Sequence, residues 1–186
     1  MGLNSVSYAQ RLIQTAGCVR TNEADRHWFA VQIRPRFEKK VAAQLALKSI
    51  DVYLPLRNEC HSWSDRQQKV AVPIFPGYAF VRVPAERERW RPVLQTPGLV
   101  GFVNFGGIVT PVPASQISGL QLLTRQQIHT TAYPYPENGR RVRIRGGCLD
   151  GLEGVIAREK DKLVLSIDSI HRSLAIEIEG YAIEFV

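Results

Sequence analysis

The residues most often used for covalent or metal chemistry are scattered in this chain. Cys18, Cys60 and Cys148 are far apart, form no C-x-x-C, and leave Cys60-His61 as an isolated pair with no second half. His27, His61, His129 and His171 stand in no spacing with Ser or Asp that would pair a nucleophile with its base. Gly146-Gly147 and Gly151…Gly154 fall between strand patterns, with no helix behind them to receive a phosphate. The expectation is a protein that is not an enzyme, with no catalytic residue, no metal site and no cofactor. The chemistry left to it is recognition, through aromatic strands and an excess of cations in one part of the chain.

The aromatic stretch is Pro73-Ile-Phe-Pro-Gly-Tyr-Ala-Phe-Val-Arg-Val83, a Pro-Gly turn running straight into a strand. Alternation puts Tyr78, Phe80 and Arg82 on one face and Ala79, Val81 and Val83 on the other. Thr96-Pro-Gly-Leu-Val-Gly-Phe-Val-Asn-Phe105 repeats the device, so Tyr78, Phe80, Phe102 and Phe105 are expected to make one apolar patch. The residues alone leave two readings of that patch open, ordinary core or a surface that a partner covers. Charge divides the chain. Residues 28–124 hold 12 Lys and Arg against 6 Asp and Glu, whereas residues 137–186 hold 8 against 9. The first part is therefore the place for nucleic acid, and the neutral second part suits a protein partner.

These residues need elements to position them. A central strand is predicted over Trp28–Ile33, broken at Pro35, then a helix over Glu38–Ser49 with the stripe Val41, Ala42, Leu45 and Ala46. Strand 52–54 follows, then a polar hairpin or loop over 57–71, the aromatic strand, and a short helix over 85–94 that Pro92 must shorten or bend. Strand 99–105 turns at Gly106-Gly107 into a strand over 108–112, and a helix over 115–127 closes the domain. This order is that of a ferredoxin-like split βαβ domain. Two prolines with interleaved tyrosines mark 128–138 as a linker. Five short strands after it can close as a small SH3-like barrel, with Leu163, Leu165, Ile167, Leu174, Ile176 and Ile178 inward. The fold class is thus α+β, with the expected units 1–27 (flexible extension), 28–127, 128–138 and 139–186. The first 27 residues lack the pattern of a secretory signal and no apolar run spans a membrane, so a cytoplasmic monomer is expected.

The ordered motifs Trp28-Phe-Ala-Val-Gln-Ile-Arg34, Glu38-Lys-Lys-Val41, Phe75–Val83, Leu94–Val103, Phe105-Gly-Gly107 and Pro111-Val-Pro113 resemble the amino-terminal domain of the NusG family of transcription elongation factors. The segment Arg141–Val155 resembles that family's KOW motif, so the likeness runs from residue 28 to residue 186. The resemblance implies a regulator of elongation and antitermination. Its first domain would dock on the clamp helices of the largest RNA polymerase subunit and suppress pausing or termination. By carry-over, Phe75, Tyr78, Phe80, Phe102 and Phe105 would bind the polymerase, and Arg34, Arg36 and Lys40 would touch the non-template DNA strand. The barrel would meet a small-subunit ribosomal protein or the termination factor Rho. Tyr53-Leu-Pro55 and Phe105-Gly-Gly107 lean toward the specialised RfaH/UpxY-like branch, although Pro97 stands where such members can carry a basic residue. The rival reading is a ribosome-associated KOW protein that binds RNA, which would place the basic excess in the barrel. A barrel dense in β-branched residues and glycine is expected to stay a barrel, tethered by its linker and leaving the aromatic patch uncovered.

Overall fold

The computed structural model describes residues 25–63, 66–136, 139–157 and 162–186 of the chain. Most of the expected extension over 1–27, Cys18 within it, and the side chains of Cys60 and His61 lie outside what is described.

Strands β1 (Arg26–Ile33), β2 (Asp51–Tyr53), β5 (Tyr78–Pro84) and β6 (Leu99–Phe102) form an antiparallel sheet in the order β2-β5-β1-β6. With the connecting helices this is the ferredoxin-like order. Strands β3 (Leu56–Trp63) and β4 (Arg66–Pro73) pair separately, from Leu56 opposite Pro73 to Trp63 opposite Arg66, so the polar segment is a regular hairpin.

The sheet buries both faces. Phe29, Val31, Ala79 and Val81 lie under Val41 and Leu45 of helix α1 (Glu38–Leu47) and under Trp90 and Val93. Trp90 ends a single-turn 3-10 helix (Arg87–Trp90), which passes into α2 (Arg91–Leu94) with Pro92 in its opening turn. That position spares the helix the missing donor of proline, so Pro92 splits the expected helix instead of ending it. On the other face, Ala30 and Phe80 lie under Ile117, Leu120 and Leu123 of α3 (Ala114–Arg125). Their i, i+3, i+6 spacing puts the three side chains on one stripe. The strand expected over 108–112 shrinks to two isolated bridges, Trp28 with Val112 and Phe105 with Ile108.

The second unit is the expected all-β barrel. Strands β7 (Thr131–Tyr133), β8 (Arg141–Arg145), β9 (Glu153–Ile156), β10 (Lys162–Ile167), β11 (Arg172–Glu177) and β12 (Ala182–Phe185) pair in the order β12-β8-β9-β10-β11-β7. The six predicted inward residues of β10, β11 and the turn after it are all buried. Val164 and Ala175 on the opposite face are buried too, because Tyr133 of β7 packs with them and with Ala157. The stretch expected to be a linker is therefore partly strand: Thr131, Ala132 and Tyr133 pair with Ala175, Leu174 and Ser173.

The expectation that the barrel leaves the aromatic face uncovered is overturned. One continuous apolar cluster joins Phe75, Phe80 and the α3 stripe to Val142, Leu152 and Leu165 of the barrel. Gly119 of α3 lies close against the barrel, since a Cβ there would come within 2.9 Å of Leu152 Cδ1 and 3.3 Å of Leu165 Cδ1. Sequence patterning reads which face of a strand is apolar, but not which second unit packs against the helix that covers it.

Candidate functional site

Two groups of side chains stand out, an aromatic face on β5 and a basic tip where three turns meet. The aromatic face is built by register. Cross-strand partners point to the same side of a sheet. Ala30 of β1 sits opposite Phe80, and Val31 sits opposite both Ala79 and Phe102. Phe102 therefore shares the Ala79 side, and Phe80 the other. The single patch of Tyr78, Phe80, Phe102 and Phe105 does not exist. Phe102 stacks on Trp90 at 4.2 Å and meets Phe29 edge-on at 6.0 Å, inside the core under α1 and α2. Phe80 is fully buried and Phe75 nearly so, both in the cluster under α3. Tyr78 is half-buried at the margin of that cluster. Phe105 is 49% exposed in the turn before Ile108 and touches the barrel, its ring 5.0 Å from that of His171.

Tyr53, which sequence reasoning did not assign to this face, belongs to it. Its ring stacks on Phe80 at 6.3 Å, and its hydroxyl shares a 3.0 Å hydrogen bond with Thr124 Oγ1 of α3. Burial pushes its phenol above the ordinary tyrosine value, an effect that outweighs the opposing Thr124 bond. The signal was available, since Tyr53 pairs directly with Phe80 once β2 is placed beside β5.

At the α3 end of this face the two units are joined by polar groups as well. Asp168, after β10, accepts bonds from Gln116 Nε2 and from the Tyr135 hydroxyl, each at 2.7 Å. The bond to Asp168 is the main reason that Tyr135 holds its proton above the ordinary value. His171, in left-handed backbone at φ 47°, lies between Phe105 and Tyr135, whose ring is 5.1 Å away.

The basic tip is the turn between β1 and α1. Arg34, Arg36, Lys39 and Lys40 are exposed there, and none pairs with a carboxylate among the described residues. The two Pro-Gly turns pack beneath it: Ile33 N–H donates to Gly77 O at 2.8 Å and Arg34 N–H to Gly98 O at 2.9 Å. Glu38, the one acid of the turn, is buried and accepts the Gly77 N–H at 3.0 Å, so it is withdrawn from the cations around it. Gly98 is required twice, by its φ of 95° and by the ring of Phe37, which a Cβ would meet at 2.8 Å. Arg34, Arg36 and Lys40 are thus brought together, and Lys39 joins them. In the barrel, by contrast, Arg143 pairs with Glu153 and Arg145 with Glu184.

Among the described residues no group of three or more His, Cys, Asp or Glu is arranged to hold a metal ion, and no helix is long and apolar enough to cross a membrane. Comparison with known proteins points one way. The chain is 28% identical to the transcription termination/antitermination protein NusG of Lactococcus lactis over 173 residues, covering 86% of this chain and 93% of that one. It is 27% identical over 182 residues to the NusG of Neisseria meningitidis, covering 86% and 97%. A solved structure titled "Domain interaction in Thermotoga maritima NusG" superposes with a TM-score of 0.50 at 20% identity, covering 88% of this chain and 99% of that one, and shows the same fold. The family model "Transcription termination factor nusG" matches residues 26–121, just over half of the chain. The chain therefore belongs to the NusG family of transcription factors.

Proposed function

We propose that this protein regulates transcript elongation and antitermination by docking its first domain on RNA polymerase, at the clamp helices of the largest subunit. The observation that carries this reading is the apolar cluster between β5 and α3. It does not end at α3 but continues into Val142, Leu152 and Leu165 of the barrel. A helical partner laid on the same face would replace the barrel. Phe75 and Phe80, buried beneath α3, would support the docking site from below, with Tyr53 and Tyr78 at its margin and Phe105 beside it. Phe102 has no place on that surface, because it supports the opposite core.

In this reading the basic tip meets the non-template DNA strand through Arg34, Arg36 and Lys40, and the released barrel recruits a small-subunit ribosomal protein or Rho. The pairing of Arg143 and Arg145 with glutamates argues against a barrel that binds RNA, which is the rival assignment. The specialised branch of the family remains our preferred placement, on Tyr53-Leu-Pro55 and Phe105-Gly-Gly107.

The test uses side chains whose loss leaves both cores intact. Tyr78→Ala with Phe105→Ala in the full chain should keep the thermal transition and lose retention of purified core polymerase. Equal retention by variant and parent refutes the docking assignment.

A further inference from the structure

The tip holds a side chain that the electrostatic reading does not use. Phe37 occupies the residue before α1, is 37% exposed, and is ringed in sequence by Arg34, Arg36, Lys39 and Lys40. Its ring is held from one side, where Gly98 gives it room and a Cβ would collide with Cδ1 at 2.8 Å. A cation stands over the ring as well: Lys40 Nζ lies 5.7 Å from its centroid. Arg36, in left-handed backbone at φ 69°, turns the chain so that ring and cations share one tip.

An exposed phenyl ring beside cations that lack carboxylates is an arrangement with specific chemistry. The cations neutralise successive phosphates, and the ring offers a flat face to a base. In a duplex the base faces are already occupied by their neighbours, so the ligand must be an unpaired strand. We propose that Phe37 is a stacking platform for a base of single-stranded DNA whose phosphates lie on Arg34, Arg36, Lys39 and Lys40. Lys40 marks the position the base takes, and it moves to the backbone when the base arrives. This proposal rests on the DNA reading given above and adds to it a contact with the base.

The experiment compares two oligonucleotides of about 12 nucleotides, within the usual single-strand site sizes. One is oligo-dT and the other is an abasic strand of the same length and charge. Full-length protein should bind oligo-dT about fivefold more tightly than the abasic strand, the lower end of what one stacked base contributes. Phe37→Leu keeps an apolar contact with Gly98, so it should retain the abasic affinity and bring the ratio to about one. As a second probe, Phe37→Trp should add fluorescence, over the parent protein, that oligo-dT quenches and the abasic strand does not.

A ratio near one in the parent protein, or a ratio unchanged by Phe37→Leu, overturns the stacking proposal alone, provided that Arg34, Arg36 and Lys40 reversed to Glu weaken binding of both strands. Binding of neither strand overturns the DNA reading and the stacking with it. Tighter binding of oligo-U than of oligo-dT assigns the tip to RNA and overturns the proposal as stated.

Discussion

Gly119→Glu should separate the barrel from the first domain without unfolding either. Gly119 lies one turn before Leu123, at the edge of the α3 stripe that meets Leu152 and Leu165, while Ile117 and Leu120 lie further round the helix in the same cluster. A Cβ alone meets only the ends of two leucine side chains, at 2.9 and 3.3 Å, and these can shift. Gly119→Ala is therefore nearly neutral, because α3 gains about 1 kcal/mol of helix propensity against that small displacement. A glutamate cannot be absorbed in this way. Overpacking costs about 1–3 kcal/mol, and a carboxylate without a partner in a seam of buried leucines costs more. A loss of about 3 kcal/mol from the docked state changes the docked-to-free ratio by about a hundredfold. Small-angle scattering of the full chain should show a larger radius of gyration for Gly119→Glu and an unchanged one for Gly119→Ala. If the barrel and the polymerase compete for the α3 face, apparent polymerase affinity rises in the same variant, up to the intrinsic value of the free face. Unchanged scattering would refute the seam. Unchanged affinity in a variant that has opened would refute the competition.

Phe102→Ala should destabilise the first domain by about 3–5 kcal/mol, read from its thermal transition, because it empties the space between Trp90 and Phe29. Arg34, Arg36 and Lys40 reversed to Glu should flatten the salt dependence of single-strand binding by about 2 in the log–log slope, since each phosphate contact contributes about 0.7; an unchanged slope moves the DNA surface elsewhere. Its bond to Asp168 raises the folded-state pKa of Tyr135, so the stability that bond gives the second unit is complete below the ordinary tyrosine value and is lost as pH rises through the higher folded-state value. Tyr135→Phe should remove this alkaline loss from the thermal transition measured against pH, and its persistence in the variant would assign it to another group.

Element types were legible where a single period dominated. The alternation in 78–83 and in 162–167 gave the strands and their inward residues, and the Val41/Leu45 stripe gave α1. Faces across strands were not legible, because parity in one strand says nothing about its neighbour until register is known. Phe102 was placed with Phe80 on that account, and the bulge between Gln32 and Ile33 shifts the pairing of β6 once more. β7 was hidden for a related reason. Three residues ahead of Pro134 carry no period of their own, and Thr131–Tyr133 is a strand only because the edge of β11 accepts it and Tyr133 covers Val164 and Ala175.

Net charge placed the cations in the right part of the chain, but pairing gives that placement its meaning. The barrel carries eight Lys and Arg within 137–186, enough for a nucleic-acid surface if they were free. Its strand register puts Arg143 directly opposite both Glu153 and Glu184, and Arg145 reaches Glu184 diagonally, so acids on β9 and β12 pair with two of the three arginines of β8. At the tip the opposite holds. The single acid among the cations, Glu38, is folded inward to accept the Gly77 N–H, and that bond also ties the first Pro-Gly turn to the start of α1. One hydrogen bond thus ties the tip together and turns its acid away from direct pairing with the exposed cations. Glu38→Gln would keep an acceptor for Gly77 and leave the tip cations as they are, whereas Glu38→Ala would strand a turn N–H and loosen the geometry that holds Arg34 beside Gly98. The tip's affinity for a polyanion therefore depends on a side chain that never faces it.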